Sequence, residues 1–246
     1  MDRLIYIAMS GAEHAFNRQA VTAHNLANAS TTGYRAEVSA FRALPVFGEG
    51  HPTRAFVVDS TVGSNFRPGA IHQTGRDLDV AIQGRGWIAV RAPDGTEAYT
   101  RNGSLKISPN GLLQTRDGMN VVGGAGPIAV PPDAAITIAH DGTISTIPAG
   151  QQPNTIAVVG RIKLVNPPEG QLVRGDDGLF RLKDGGAAPA DVNVGLLQGA
   201  LEASNVNPVT ALVGMIEQAR QYDMEVQLLR TAQNNAQQAS RIMSLT

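Results

Sequence analysis

VTALVGMIEQARQYDMEVQLLRTAQNNAQQASRIMSL, residues 209–245, carries a repeat of seven. One set of positions holds Leu212, Ala219, Val226, Gln233 and Ser240; the set three residues on holds Met215, Tyr222, Leu229, Ala236 and Met243. Both are apolar for the first three repeats and turn small or polar afterwards, the pattern of a helix laid against other helices. Asn207-Pro208 ahead of it is a start signal, an Asn N-cap followed by a proline where no helical N–H is needed. At about 1.5 Å per residue the helix is on the order of 55 Å long. A rod of that length cannot bury its seam within a compact domain, so the spacing predicts other helices beside it.

A second such stripe lies at the other end. Ile5, Met9, Ala12, Phe16, Gln19, Ala23 and Leu26 recur in steps of four and three, which predicts a helix from Asp2 to about Asn28. Asn28-Ala29-Ser30-Thr31-Thr32-Gly33 then supplies stop and turn residues. An ordinary amphipathic helix packed on its own domain would show the same stripe; the symmetry of the two ends favours a shared role.

Between the ends the period changes. Pro45, Gly48, Gly50, Pro52, Gly63, Pro68 and Gly69 interrupt residues 34–74, which reads as an extended arm in which Phe56-Val57-Val58 is a short strand at most. From Leu78 onward Asp94-Gly95, Asn102-Gly103, Asn110-Gly111 and Asp117-Gly118 recur as tight-turn dipeptides between short strand-like runs. The runs include 87–90, 98–100, 105–107, 112–114, 128–130, 136–138, 143–145, 158–165 and 179–182, a mainly antiparallel body. The expected organisation is α+β: an N-terminal helix segment 1–33, an arm 34–74, a β domain 75–195, a connector 196–206 and a C-terminal helix segment 207–246. The two long helices are expected to pair as a coiled-coil-like stalk.

Composition narrows the chemistry. Net charge is −1 over 246 residues, so no basic field exists for nucleic acid or an anionic membrane. Charged residues are only 17% and glycines number 27, a balance that suits a turn-rich body and helices with amide-rich faces. There is no cysteine, hence no disulfide or thiolate chemistry. The apolar run 4–9 is too short for a secretion signal of the usual kind, and no run reaches the ~20 residues of a membrane span.

No catalytic constellation emerges. His14, His24, His51, His72 and His140 are scattered without metal-ligand spacing. Gly84-Arg85-Gly86 and Gly123-Gly124-Ala125-Gly126 complete no phosphate-loop pattern. Arg174-Gly175-Asp176 runs into Asp177-Gly178 and reads as a hairpin tip. Asp77 and Asp79, which would share a strand face, are the one paired-carboxylate candidate for a hydrolase, with no apolar pocket visible to raise either pKa. Aromatics are 4% and Trp87 is the sole tryptophan, so an aromatic-lined binding groove has little material. No cofactor, metal or small-molecule substrate is expected.

Asn25-Leu26-Ala27-Asn28-Ala29-Ser30-Thr31-Thr32-Gly33-Tyr34 resembles the signature that closes the N-terminal helix of bacterial flagellar rod and hook proteins. Leu201-Glu202-Ala203-Ser204-Asn205-Val206-Asn207-Pro208-Val209 resembles its C-terminal counterpart, with Ile216, Arg220 and Tyr222 following at the family's spacing. Asp223 stands where the family more often has Glu, and Thr32 and the amide run 233–238 also depart from the commonest forms. The middle agrees in Asp79-Val80-Ala81-Ile82-Gln83-Gly84, Tyr99-Thr100-Arg101-Asn102-Gly103 and Asp177-Gly178-Leu179-Phe180-Arg181-Leu182. Residues 19–23, Arg42-Ala43-Leu44-Pro45-Val46 and Pro52-Thr53-Arg54 are similar to a proximal-rod member, with a distal-rod or hook subunit as the alternative.

The resemblance implies a structural subunit of the flagellar basal body. It implies export through the flagellum's own secretion apparatus without a cleaved signal, and assembly in the periplasm with proximal and distal rod proteins. The expected assembly surface is Ile5, Met9, Ala12, Phe16, Gln19, Ala23, Asn25, Leu26 and Asn28 on the first helix. On the second it is Leu212, Met215, Ala219, Tyr222, Val226, Leu229, Gln233, Ala236 and Met243. Gln19, Gln233 and Ser240 would fix register there, and in the free monomer both ends would be poorly ordered. A periplasmic peptidoglycan-active enzyme built on Asp77 and Asp79 and a soluble binding module are the rival classes.

Overall fold

Asn207 starts the C-terminal helix, α2 (Pro208–Met243), as its side chain predicts. Its Oδ1 accepts the N–H of Val209 at 3.0 Å and of Thr210 at 3.1 Å, satisfying two of the donors a helix start leaves open. The computed structural model describes residues 2–45, 55–124, 126–131, 134–148 and 156–243. Val46, Gly48, Gly50, His51, Pro52-Thr53-Arg54 and Ala125 lie outside the described residues, as does the side chain of Met243. The fold is α+β, and it divides into two units: residues 1–29, 36–65 and 206–246, and residues 30–35 with 66–205.

The first unit contains α1 (Asp2–Ala27), α2 and a hairpin, β1 (Glu37–Pro45) with β2 (Ala55–Ser64). The helices pack against each other, and small side chains fill the contact. Ala8, Ala12 and Ala15 are buried on α1, and Gln218 and Ala232 on α2. Gln218 Nε2 donates to Thr22 Oγ1 across the pair at 3.0 Å. Gly11 passes so close to Glu225 that a Cβ there would lie 2.8 Å from its carboxyl carbon.

The hairpin replaces most of the expected extended arm. The breakers at 45–52 fall at the end of β1 and in the connection, which leaves runs of nine and ten residues free to pair antiparallel. A bulge at Ala40/Phe41 interrupts the register. Asn25 ties α1 to this hairpin: its Oδ1 accepts the Glu37 N–H at 2.8 Å and its Nδ2 donates to the Glu37 carbonyl at 2.9 Å. His24 Nδ1 lies 3.1 Å from the Glu37 carboxylate, and the His14 ring meets Phe41 edge-on.

The second unit is built on an antiparallel sheet of nine strands among the described residues. Its main path runs Leu172–Arg174, Phe180–Leu182, Glu97–Thr100, Trp87–Arg91, Asn120–Gly123, Leu113–Thr115, Leu105–Ile107. Strand Trp87–Arg91 shows why it has two buried faces. Ile88 and Val90 point into a large aliphatic cluster with Val80, Leu105, Val121 and Ile162, while Trp87 and Ala89 point into a smaller one with Tyr99, Leu172 and Phe180. A second sheet joins Ala134–Ile138, Thr143–Pro148 and Ala157–Arg161.

Three details depart from the sequence reading. The run 158–165 is split between two sheets, Ala157–Arg161 in one and Leu164–Val165 in the other. Residues 128–130 form no strand and contribute Ile128 and Val130 to the core through a bridge at Ala129. The connector 196–206 contains strands: Gly195–Gln198 pairs with Val80–Gln83, and Ala200–Glu202 with Ile71–Gln73. Strands of three and four residues leave too short a pattern for alternation to reveal.

Gly95, Gly111 and Gly118 take the positive φ expected of tight turns. Gly103 does not. A Cβ there would sit 1.7 Å from the Val80 carbonyl oxygen, so Asn102-Gly103 marks a close backbone crossing and not a hairpin tip.

Candidate assembly surface and buried ion cluster

Within the chain, the residues that pack between α1 and α2 coincide only partly with the expected assembly stripe. On α1 the inward positions are Ile5, Ala8, Ala12, Ala15, Gln19, Thr22 and Leu26. Four of these, Ile5, Ala12, Gln19 and Leu26, belong to the predicted stripe; Met9, Phe16 and Ala23 are exposed, and their N-terminal neighbours take the inward places. On α2 the buried or half-buried positions include Ala211, Met215, Gln218, Glu225, Leu229, Ala232 and Ala236, whereas Leu212, Tyr222 and Gln233 are exposed and Ala219 and Val226 half-buried. Between the two helices one set of each heptad faces inward, Tyr222 excepted, and in place of the other set the residue before it does. The cause is size: two helices approach closely through alanine, and the larger side chains beside it are turned away.

What is turned away is strongly apolar. Tyr6, Met9 and Phe16 stand out from α1, with Phe16 61% exposed. Val209, Val213, Ile216, Met224 and Leu228 form a broad face along α2, with Met224 63% exposed. The expected assembly surface left out Tyr6, Val209, Val213, Ile216, Met224 and Leu228, although their three- and four-residue steps are there to be read. Asn25 and Asn28 work inward instead: Asn25 on the hairpin backbone, Asn28 donating through Nδ2 to the His24 carbonyl at 3.0 Å at the end of α1.

In the β unit, three of the motif stretches meet at one carboxylate. Glu202 is 1% exposed. Its Oε1 lies 2.7 Å from Arg35 Nη2 and accepts the Gly69 N–H at 2.8 Å; its Oε2 lies 2.9 Å from Arg101 Nη1. The Glu202 carbonyl accepts the Gly33 N–H at 2.8 Å, and the Asn205 N–H reaches the Tyr34 carbonyl at 3.3 Å. Gly33 explains its place in the signature: φ is +68°, and a Cβ would lie 2.3 Å from the Arg101 carbonyl carbon. Both guanidiniums lie over Trp87, Arg101 at 5.5 Å and Arg35 at 5.9 Å from the ring centroid. Burial lowers the Arg101 pKa; Glu202 counters that and Arg35 adds to it. Arg174 stacks on Tyr34 at 4.4 Å and donates to the Arg35 carbonyl at 2.9 Å.

The paired-carboxylate candidate is not a pair. Asp77 lies exposed in a turn, and Asp79 is buried in an isolated bridge. Burial pushes the Asp79 carboxyl up, but hydrogen bonds from Arg76 and Thr74 Oγ1, the latter at 2.7 Å, outweigh it and leave the pKa below the usual range. Such a carboxylate is a fixed structural anion and not a proton donor near neutrality. Buried Tyr99 donates to Glu97 Oε1 at 3.0 Å and accepts the Ala188 N–H at 2.7 Å, with burial, the main cause, raising its pKa to about 12.

Comparison with known proteins finds matches at both ends and in the middle of the chain. The model described as "Flagella basal body rod protein" matches residues 5–35, and "Flagellar basal body rod FlgEFG protein C-terminal" matches 197–242. Between them, "Flagellar hook protein FlgE/F/G D1 domain" matches 81–146. All three describe components of the flagellar rod and hook. Among individual relatives, the flagellar basal-body rod protein FlgF of Escherichia coli is 48% identical over the full length of both chains. Its namesake from Salmonella typhimurium is 46% identical, also over the full length of both. FlgF of Caulobacter vibrioides is 34% identical over 93% of each chain. The chain belongs to the FlgF family of flagellar basal-body rod proteins, which are structural subunits and not enzymes.

Proposed function

We propose that this subunit builds the proximal part of the rod in the periplasm, after export by the flagellum's own secretion apparatus without a cleaved signal. Its neighbours are other proximal and distal rod proteins, met through the outward apolar face of α1 and α2. The alternating three- and four-residue steps of the inward seam support a coiled-coil-like pairing of the two helices within the subunit.

One observation carries this reading: large apolar side chains on the outer side of the helix pair, among them Tyr6, Met9, Phe16, Ile216 and Met224, lie in water. Covering a side chain such as Phe16 or Ile216 stabilises by about 1.5–3 kcal/mol before the costs of association. A face of this kind repeated head to tail, without closing, builds a helical assembly. Met9, Phe16, Leu212 and Tyr222, exposed here, make up the outer part of the interface; Ala12, Leu229 and Ala236 support it from within.

Paired substitutions Phe16→Asp and Ile216→Asp test it. Both sites are exposed, so the purified chain keeps its helix content. In a motility-complementation assay the variant is expected to be non-motile and missing from isolated basal bodies. Normal rods and motility would place the interface elsewhere.

A further inference from the structure

The chain has six methionines and no cysteine, so thioether sulfur is the only sulfur it offers to an oxidant. Of the four whose side chains lie among the described residues, Met9 is 52% exposed and Met224 63%, while Met119 and Met215 are half-buried. The two exposed ones stand within the apolar face. Met9 lies between Tyr6 and Phe16 along α1, and Met224 between Ile216 and Leu228 along α2. We propose that Met9 and Met224 are oxidation sites, and that their conversion to sulfoxide by a hydroperoxide keeps a free subunit out of the rod. The inference rests on the proposed assembly through this face and names a chemical control of it.

Exposure decides which thioethers react, because the oxidant has to reach the sulfur. Met119 packs against the aliphatic core of the β unit, and Met215 is on the inward side of α2. In the reaction a sulfur lone pair attacks one peroxide oxygen and the O–O bond breaks. An S–O bond forms, sulfur loses two electrons, and hydrogen peroxide is reduced to water. No bond of the chain is cut, and the product is a polar, chiral side chain.

A thioether on this face packs as an adaptable apolar group. A sulfoxide brings an oxygen that accepts hydrogen bonds, and the side chains of Phe16, Ile216 and Leu228 on the same face offer it no donor. Covering it with a neighbouring chain would leave that oxygen desolvated and unpaired, which works against association. Neither methionine belongs to the β unit, so oxidation leaves that unit folded.

Each of the four methionines falls in its own tryptic peptide: residues 4–18, 117–161, 184–220 and 221–230. Mass mapping of these peptides, after brief exposure of the folded full-length protein to hydrogen peroxide, reads each sulfur separately. Met9 and Met224 are expected to oxidise about fivefold faster than Met119 and Met215. Equal rates at all four would overturn the proposal.

Glutamine, polar and of similar length, stands in for the sulfoxide, and leucine for the reduced thioether. Met9→Gln combined with Met224→Gln keeps the helical circular dichroism of the parent but is expected to enter basal bodies about tenfold less. Met9→Leu combined with Met224→Leu is expected to enter normally. Normal entry of the glutamine pair overturns the proposal. So does exclusion of the leucine pair, because polarity is then not the cause. Phe16→Asp with Ile216→Asp tests the face without touching sulfur: normal rods from that pair sink the assembly reading, whereas normal rods from the glutamine pair alone sink only this one.

Discussion

Glu202 joins segments that are remote in sequence. It holds Arg101, 101 positions away, and the backbone of Gly69, 133 positions away, while also meeting Arg35 beside the signature turn. Burying an ion cluster costs desolvation, and its net worth against an apolar core is small. Removing the one anion is another matter, because two guanidiniums then remain buried with no opposite charge. Glu202→Gln is therefore expected to destabilise the β unit by about 3–5 kcal/mol. Urea unfolding followed through Trp87, which lies within that unit, measures it; a loss under about 1 kcal/mol would mean the cluster is not holding the fold. The sequence displayed every participant: the Thr-Gly-Tyr turn, the Tyr-Thr-Arg-Asn-Gly run and the Leu-Glu-Ala-Ser-Asn run were each distinct. Their convergence was not legible, since an ion pair across a hundred residues leaves no periodic trace. The Asp77/Asp79 candidate failed for a related reason: spacing promised a shared strand face, but Arg76 and Thr74 draw Asp79 into a turn-bound network.

At the scale of elements, helix existence, type and starting point were readable, because a 3.5-residue period and an Asn-Pro cap are local signals. Which residues pack between the two helices of one chain was not. Ranking by hydrophobicity selects Met9 over Ala8 and Phe16 over Ala15, whereas close packing selects the alanines, which are 0% and 2% exposed. The hairpin β1–β2 was hidden differently, by glycines and prolines that lie mostly at its ends and in the connection. Ala15→Leu overfills the pair and is expected to cost the helical unit about 1–3 kcal/mol, while Ala20→Leu, on the exposed side, leaves it unchanged. Helical circular dichroism during urea unfolding distinguishes the two, and an Ala15→Leu protein as stable as its parent would mean the seam is loose.

For the molecule as a whole, the two units divide the work. The β unit buries its aliphatic and aromatic clusters on both faces of its sheet. The helical unit buries Ala8, Ala12 and Ala15 and leaves Tyr6, Met9, Phe16, Ile216 and Met224 exposed, the face proposed above to meet other chains. The chain has no native cysteine, which makes single-cysteine cross-linking unambiguous. Phe16→Cys, Ile216→Cys and Ala15→Cys, each introduced alone and oxidised or bridged with a short bifunctional reagent in purified basal bodies, test the claim most directly. The account predicts links to a second polypeptide from positions 16 and 216 and none from position 15. Links from position 15 alone, with 16 and 216 remaining single chains, would contradict it.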